Sequence, residues 1–178
     1  MIHPLELVVI LGTAREGNQS SKVVPGIVDA ARDRDWKTTV IEAADHSQSA
    51  TDSQAGDEAF RSQLASADAF VLIAPEYNHS FPGELKILLD RQQGEFAHKP
   101  VGLVGVSAGS HGGIRAVEGL LPVLYTLRAV SVLPQVLIGG VGGLDDPFEP
   151  ERHRKQLDAM LGELEFYAEA LSAARTTD

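Results

Sequence analysis

Cysteine is absent from the 178 residues. That excludes disulfides, thiolate nucleophiles and cysteine-ligated metals, and with them any phosphatase that works through a cysteine. Aromatic residues are scarce at 6%, with a single tryptophan, Trp36. Basic residues are outnumbered, 15 Lys and Arg against 25 Asp and Glu, for a formal net charge of −10. A field of that sign repels nucleic acid and anionic lipid, so neither is an expected partner. An anionic ligand needs a local, oriented site built against that field. No apolar run reaches the ~18–20 residues that span a bilayer. The opening segment MIHPLELVVILG has a short apolar run with no basic segment before it, unlike a secretory signal, and the expectation is a cytoplasmic protein.

What is present is alternation. Five short runs rich in Val, Ile and Leu lie at residues 5–11, 38–41, 69–74, 101–106 and 129–138. Little polar residue interrupts them, as expected of strands covered on both faces of a parallel sheet. Segments of helical spacing fall between them, at residues 21–34, 57–67, 83–91, 113–128 and 151–174. In the last, Leu157, Met160, Leu161, Leu164, Tyr167, Ala168 and Leu171 form one apolar stripe. The order predicts one α/β domain over residues 1–178, with a doubly wound sheet. Pro25 and Pro122 fall inside two of the helical segments, where each removes a backbone donor and should delay or kink its helix. The polar stretch 45–56, the stretch 139–150 and the tail after Ala174 are expected to lack regular structure.

Ligands of such sheets sit outside the carboxyl ends of the strands, at the point where strand order reverses. Three loops there are unusual. The first, GTAREGNQSS (12–21), follows a buried run and opens a helix. Backbone N–H groups at a helix start, hydroxyl and amide side chains, and the lone cation Arg15 suit an anion; an ordinary N-cap and turn is the alternative. It is neither a Walker A loop nor a GxGxxG fingerprint. The second, PEYNHSFPG (75–83), offers backbone groups and Tyr77 or Phe81 to the edge of a heterocycle, or else forms a rigid turn with an aromatic plug. Glu76 and His79 invite an acid–base role but suit a solvated or capping one better. The third, SAGSHGG (107–113), lets a ligand approach the backbone closely, or is a plain connection between strand and helix. His79 and His111 lack paired-ligand spacing, so no metal is expected.

Taken together, GTAREGNQSSKV (12–23), PEYNHSFPGELK (75–86) and SAGSHGGIRAVEGL (107–120) resemble the NAD(P)H-dependent FMN reductase family, which includes quinone, chromate and azo-dye reductases. The middle motif is the most specific, and the resemblance covers roughly residues 5–140. It implies a flavodoxin-like five-stranded parallel sheet of order 2-1-3-4-5, with FMN at the switch between strands one and three. By position it implies that Thr13, Arg15, Asn18, Gln19 and Ser20 hold the FMN phosphate. Pro75, Glu76, Tyr77, Asn78 and His79 then line the isoalloxazine, and Ser107, Gly109, Gly112 and Gly113 border its other edge. The family's first loop commonly reads Gly-Ser-x-Arg; here Thr13 keeps the hydroxyl.

The chemistry implied is the cofactor's, with no catalytic side chain. NADPH or NADH donates hydride, and a small acceptor (free flavin, quinone, azo compound or metal oxyanion) takes the electrons by a ping-pong route. A homodimer or homotetramer is implied too. A non-catalytic flavodoxin-like electron carrier and a flavin-based sensor share the fold. Carriers tend to sandwich the flavin between aromatics, and Trp36 lies at the far end of the first helix.

Overall fold

A computed structural model describes residues 4–46, 58–92, 94–142, 147–148 and 150–175. The strands are β1 (Glu6–Leu11), β2 (Lys37–Glu42), β3 (Ala69–Pro75), β4 (Pro100–Val106), β5 (Val130–Ser131) and β6 (Val136–Ile138). The helices are α1 (Val24–Arg32), α2 (Ala43–His46), α3 (Glu58–Ser66), α4 (Gly83–Asp90), α5 (Ile114–Thr126) and α6 (Pro150–Arg175).

All strand pairs are parallel, in the order β2-β1-β3-β4-β5, with β6 also paired to β4. This is the flavodoxin-like order, whose reversal lies between β1 and β3. The expected order is borne out, with one correction. The fifth apolar run is two strands: β5 pairs with Pro100 and Val101, and β6 with residues 104–106. Pro134 sits in the gap, where a residue without an N–H cannot serve the ladder.

Alternation along the buried strands sorts their side chains to two cores. Leu7, Val9, Leu11, Val71 and Ile73 join Ile27 of α1 and Leu157, Met160 and Leu164 of α6. Val8, Ile10, Phe70, Leu72 and Leu103 face Leu64 of α3, Leu85 and Leu88 of α4, and Val117 and Leu120 of α5. Each face of the sheet is therefore covered, which accounts for the near-continuous apolar runs.

Pro25 is absorbed without a kink in mid-helix. A 3₁₀ turn over Ser20–Val23 precedes α1, and Pro25 falls in the first turn of α1, where its missing donor costs little. α5 runs through Pro122 unbroken. At the start of the polar stretch, Asp45 and His46 belong to α2, and residues 47–56 lie outside the described residues. So do 143–146 and 149 of the second irregular stretch, and 176–178 of the tail. None of the described helices is long and apolar enough to cross a membrane.

Candidate active site

The carboxyl ends of β1, β3 and β4 open onto a cavity of about 380 Å³, within the ~300–1,000 Å³ range of small-molecule sites. Residues 15–20 form one wall, Pro75, Glu76 and Tyr77 a second, and Val106, Ser107, Ala108 and Val141 a third. The three loops singled out in the sequence thus meet in one place.

The first loop is rich in groups that lack protein partners. Asn18 closes the turn from within: its Nδ2 donates to the Arg15 carbonyl (3.0 Å) and its Oδ1 accepts the Ser21 N–H (2.9 Å). Gly17 takes a left-handed φ of 66°, open to Gly at no steric cost. Among the described residues, the N–H groups of Glu16, Gly17 and Gln19 have no partner. Among the described residues no carboxylate lies within 4.0 Å of the Arg15 guanidinium, which lies over the Tyr77 ring, 5.4 Å from the centroid. Gln19 Oε1 is buried on the cavity wall with no hydrogen bond among the described residues. Unpaired donors, an unpaired cation and a buried orphan acceptor at one end of a cavity are what a bound polyanion with hydroxyl groups would satisfy.

Thr13 stands behind that wall, 1% exposed. Its Oγ1 accepts the Arg15 N–H (3.2 Å) and shares a hydrogen bond with the Tyr77 hydroxyl (3.0 Å). The second loop is shaped by a two-residue turn. Tyr77 N–H donates to the Ser80 carbonyl (2.9 Å), and Ser80 N–H to the Tyr77 carbonyl (3.1 Å). The two residues between, Asn78 (φ 50°) and His79 (φ 67°), are both left-handed, a conformation that asparagine tolerates and that costs most other residues with a Cβ roughly 1–2 kcal/mol. Both are exposed at the tip of the turn, off the cavity wall.

Glu76 has a structural commitment. Its carboxylate accepts the Arg115 N–H at the start of α5 (3.2 Å) and faces the Arg115 guanidinium (3.4 Å). A carboxylate at a helix N-terminus is favourably placed against the helix dipole. Glu76 thereby ties the second loop to the helix that follows the third. Sequence reasoning missed this pair: the partners are 39 positions apart, and neither type is unusual alone.

In the third loop Ser107 lines the cavity, and Gly109 is exposed beyond it. Gly112 and Gly113 are buried and turned away, for a reason inside the fold. A Cβ on Gly112 would come within 2.7 Å of Leu137, and one on Gly113 within 2.5 Å of the Val106 nitrogen. Both also have positive φ, 63° and 77°. Glycine here lets the α5 entry pack on β4 and β6. The cavity wall also includes Glu16, Gly17, Val106, Ala108 and Val141, which the sequence reading did not single out. Val141 gives no sequence signal; it arrives because β6 runs beside β4 and delivers it there. Trp36 is buried in the core on the α1 and α6 side and takes no part in the wall.

The sequence profile of the NADPH-dependent FMN reductase family matches residues 5–142. An NADPH azoreductase of Bacillus sp. (strain OY1-2) is 31% identical over 156 residues, covering 84% of this chain and 87% of that protein. A quinone reductase of Escherichia coli (strain K12) is 26% identical over 189 aligned positions, covering 98% of this chain and all of that protein. Among solved structures, an oxidoreductase from Corynebacterium diphtheriae superposes with a TM-score of 0.75 at 18% identity, over 95% of this chain and 99% of that one.

Proposed function

The chain belongs to the NADPH-dependent FMN reductase family, and from that premise we propose that the cavity is its FMN site, where it reduces a small acceptor at the expense of NADPH or NADH. The observation that carries this placement is the set of unpartnered donors and the unpaired Arg15 at one end of the cavity. They suit a phosphate, in a chain whose net charge otherwise repels one. When bound, FMN supplies hydride acceptance and electron release.

Each wall has its own task. Arg15, the N–H groups of Glu16, Gly17 and Gln19 and the Ser20 hydroxyl hold the phosphate, with Asn18 and Thr13 shaping the loop from behind. Gln19 Oε1 is an acceptor, so it takes a hydroxyl of the ribityl chain. Pro75, Glu76 and Tyr77 border the ring on one side, and Ser107 with Val106 and Val141 on another. Asn78 and His79 seat the ring indirectly, by fixing the turn that aims Tyr77, and Gly109, Gly112 and Gly113 by shaping the third loop. No side chain on the wall is needed as an acid or base, since Glu76 is engaged with Arg115.

The acceptor is a free flavin, quinone, azo compound or metal oxyanion. Donor and acceptor use the one opening in turn, which makes the kinetics ping-pong; intersecting double-reciprocal plots would count against it. Exposed Leu121 and Tyr125 on α5 support assembly as a homodimer or homotetramer, and a 19 kDa particle in light scattering would oppose it. Cytoplasmic location goes with a reduced nicotinamide donor, and the chain is read as one domain. The central test is binding. Arg15→Ala should weaken FMN at least tenfold, about 1.5–3 kcal/mol, and riboflavin hardly at all. Equal losses would place Arg15 away from the phosphate.

A further inference from the structure

We infer that Tyr77 is a positioning residue that sets the preference for a phosphorylated over an unphosphorylated flavin, by holding the Arg15 guanidinium ready at the cavity wall. The inference rests on the reading of this cavity as the FMN site.

An arginine on an exposed loop ordinarily samples many rotamers, and a ligand that needs one of them has to supply the ordering free energy. Arg15 is such a residue: it is exposed, and its side chain makes no hydrogen bond or ion pair among the described residues. The Tyr77 ring, 5.4 Å from the guanidinium carbon, is what it rests on. A guanidinium over an aromatic face is attracted by the ring quadrupole yet keeps its N–H donors free for an anion.

The ring is itself held firmly. The Tyr77 backbone makes two hydrogen bonds with Ser80 across the left-handed turn. Its hydroxyl meets Thr13 Oγ1, and the same oxygen accepts the Arg15 backbone N–H. Buried Thr13 therefore anchors both ends of the pair, the main chain of Arg15 and the far edge of the ring beneath its side chain. The contact joins the loop after β1 to the loop after β3, 64 positions away, across the point where the strand order reverses.

The test measures dissociation constants of FMN and riboflavin by flavin fluorescence quenching on the full chain freed of flavin. The quantity read is their ratio, which a general loss of fold or of ring packing leaves alone. Tyr77→Leu should lower the FMN preference about two- to fivefold, the scale of one exposed cation–π contact. In an Arg15→Ala background, Tyr77→Leu should leave the ratio where Arg15→Ala put it. Tyr77→Phe, which keeps the ring but gives up the Thr13 contact, should lower the ratio less than Tyr77→Leu does. Arg15→Lys keeps the charge but loses the planar group that lies on the ring, and should lower the ratio.

Equal weakening of both flavins by Tyr77→Leu would overturn the inference and leave the FMN site standing. So would a drop in the ratio that persists without Arg15. Should Tyr77→Leu fail to fold, Arg15→Lys decides alone: an unchanged ratio overturns the inference. An Arg15→Ala protein with an unchanged ratio would overturn the reading of the cavity itself.

Discussion

The two ends of the sheet are built on opposite plans. At the amino ends of the strands, charged groups are matched. Asp68 accepts the Glu6 N–H (3.0 Å) and faces Arg175 (3.4 Å), while Lys37 pairs with Glu6 (2.7 Å). The Lys37 ammonium holds the Glu6 carboxyl below the usual carboxylate range. Buried Lys99 donates to the carbonyls of Leu64 (3.0 Å) and Ala65 (2.7 Å), closing the end of α3. At the carboxyl ends, among the described residues, the chain leaves N–H groups, a guanidinium and an amide oxygen unpaired around one cavity. Charges that serve only the fold find partners within it, while donors left open around a cavity are available for a ligand to complete. Substitutions at the two ends should therefore fail differently.

The largest expected effect tests whether the open end has a rigid frame of its own. Gly113→Ala places a methyl group against the Val106 nitrogen at a φ of 77°. Backbone strain and overpacking together should lower stability by about 2–5 kcal/mol, read as a lower urea midpoint with or without flavin. A Gly113→Ala protein of wild-type stability that bound FMN poorly would instead make this glycine a ligand contact.

The next effect belongs to the closed end. Burial pushes the Lys99 ammonium down to about 8, with Arg175 adding repulsion against the weaker pull of Asp68 and Glu95. The unfolded chain keeps that proton up to the ordinary lysine value near 10.4. Between about 8 and 10.4 the unfolded state binds more protons, so the Lys99 contribution to stability rises with pH there. Below about 8 both states are charged and the cost of burying the ammonium is constant. Relative to Lys99→Met, the wild type should gain on the order of 2–3 kcal/mol from pH 7.5 to 10.5, in urea unfolding at matched pH. A difference that is flat with pH would mean Lys99 is no more perturbed than a surface lysine. FMN affinity should not follow this titration, since Lys99 lies at the other end of β4 from the cavity.

The same contrast explains what could be read from the sequence. Residues 69–74 and 101–106 announce themselves because a parallel strand buried on both faces admits almost nothing polar. The loops at the open end stand out because Gly, Asn, His and Pro crowd positions where a plain connection has no need of them. The pairings across loops were hidden. Thr13 with Tyr77 and Glu76 with Arg115 depend on which strand ends lie side by side, and spacing along the chain does not encode that. The split of β5 from β6 was hidden too, since Pro134 is one residue in an otherwise continuous apolar run. Val141 reaches the wall only through the register of β6 on β4.

The smallest expected effect asks whether the open end contains an acid or base after all. His79 is the histidine nearest in sequence to the cavity wall, yet it is exposed at the tip of the turn and its side chain does not line the wall. Its visible contribution is conformational, a left-handed residue that closes the two-residue turn beneath Tyr77. Asparagine tolerates that conformation better than most residues and does not titrate near neutrality. His79→Asn should therefore keep the turn and remove the imidazole. Anaerobic reduction by NADPH, followed by stopped-flow absorbance, should change by less than about threefold, far below the ~10²–10⁴-fold typical of losing a general acid or base. Its pH profile should stay shallow between 6 and 8. Asn78→Ala, which removes a side chain suited to φ 50°, should do more to FMN binding than His79→Asn does. A His79→Asn protein that binds FMN normally but is reduced a thousandfold more slowly would place a proton-transfer group at the tip of this turn, and the open end would then supply chemistry of its own.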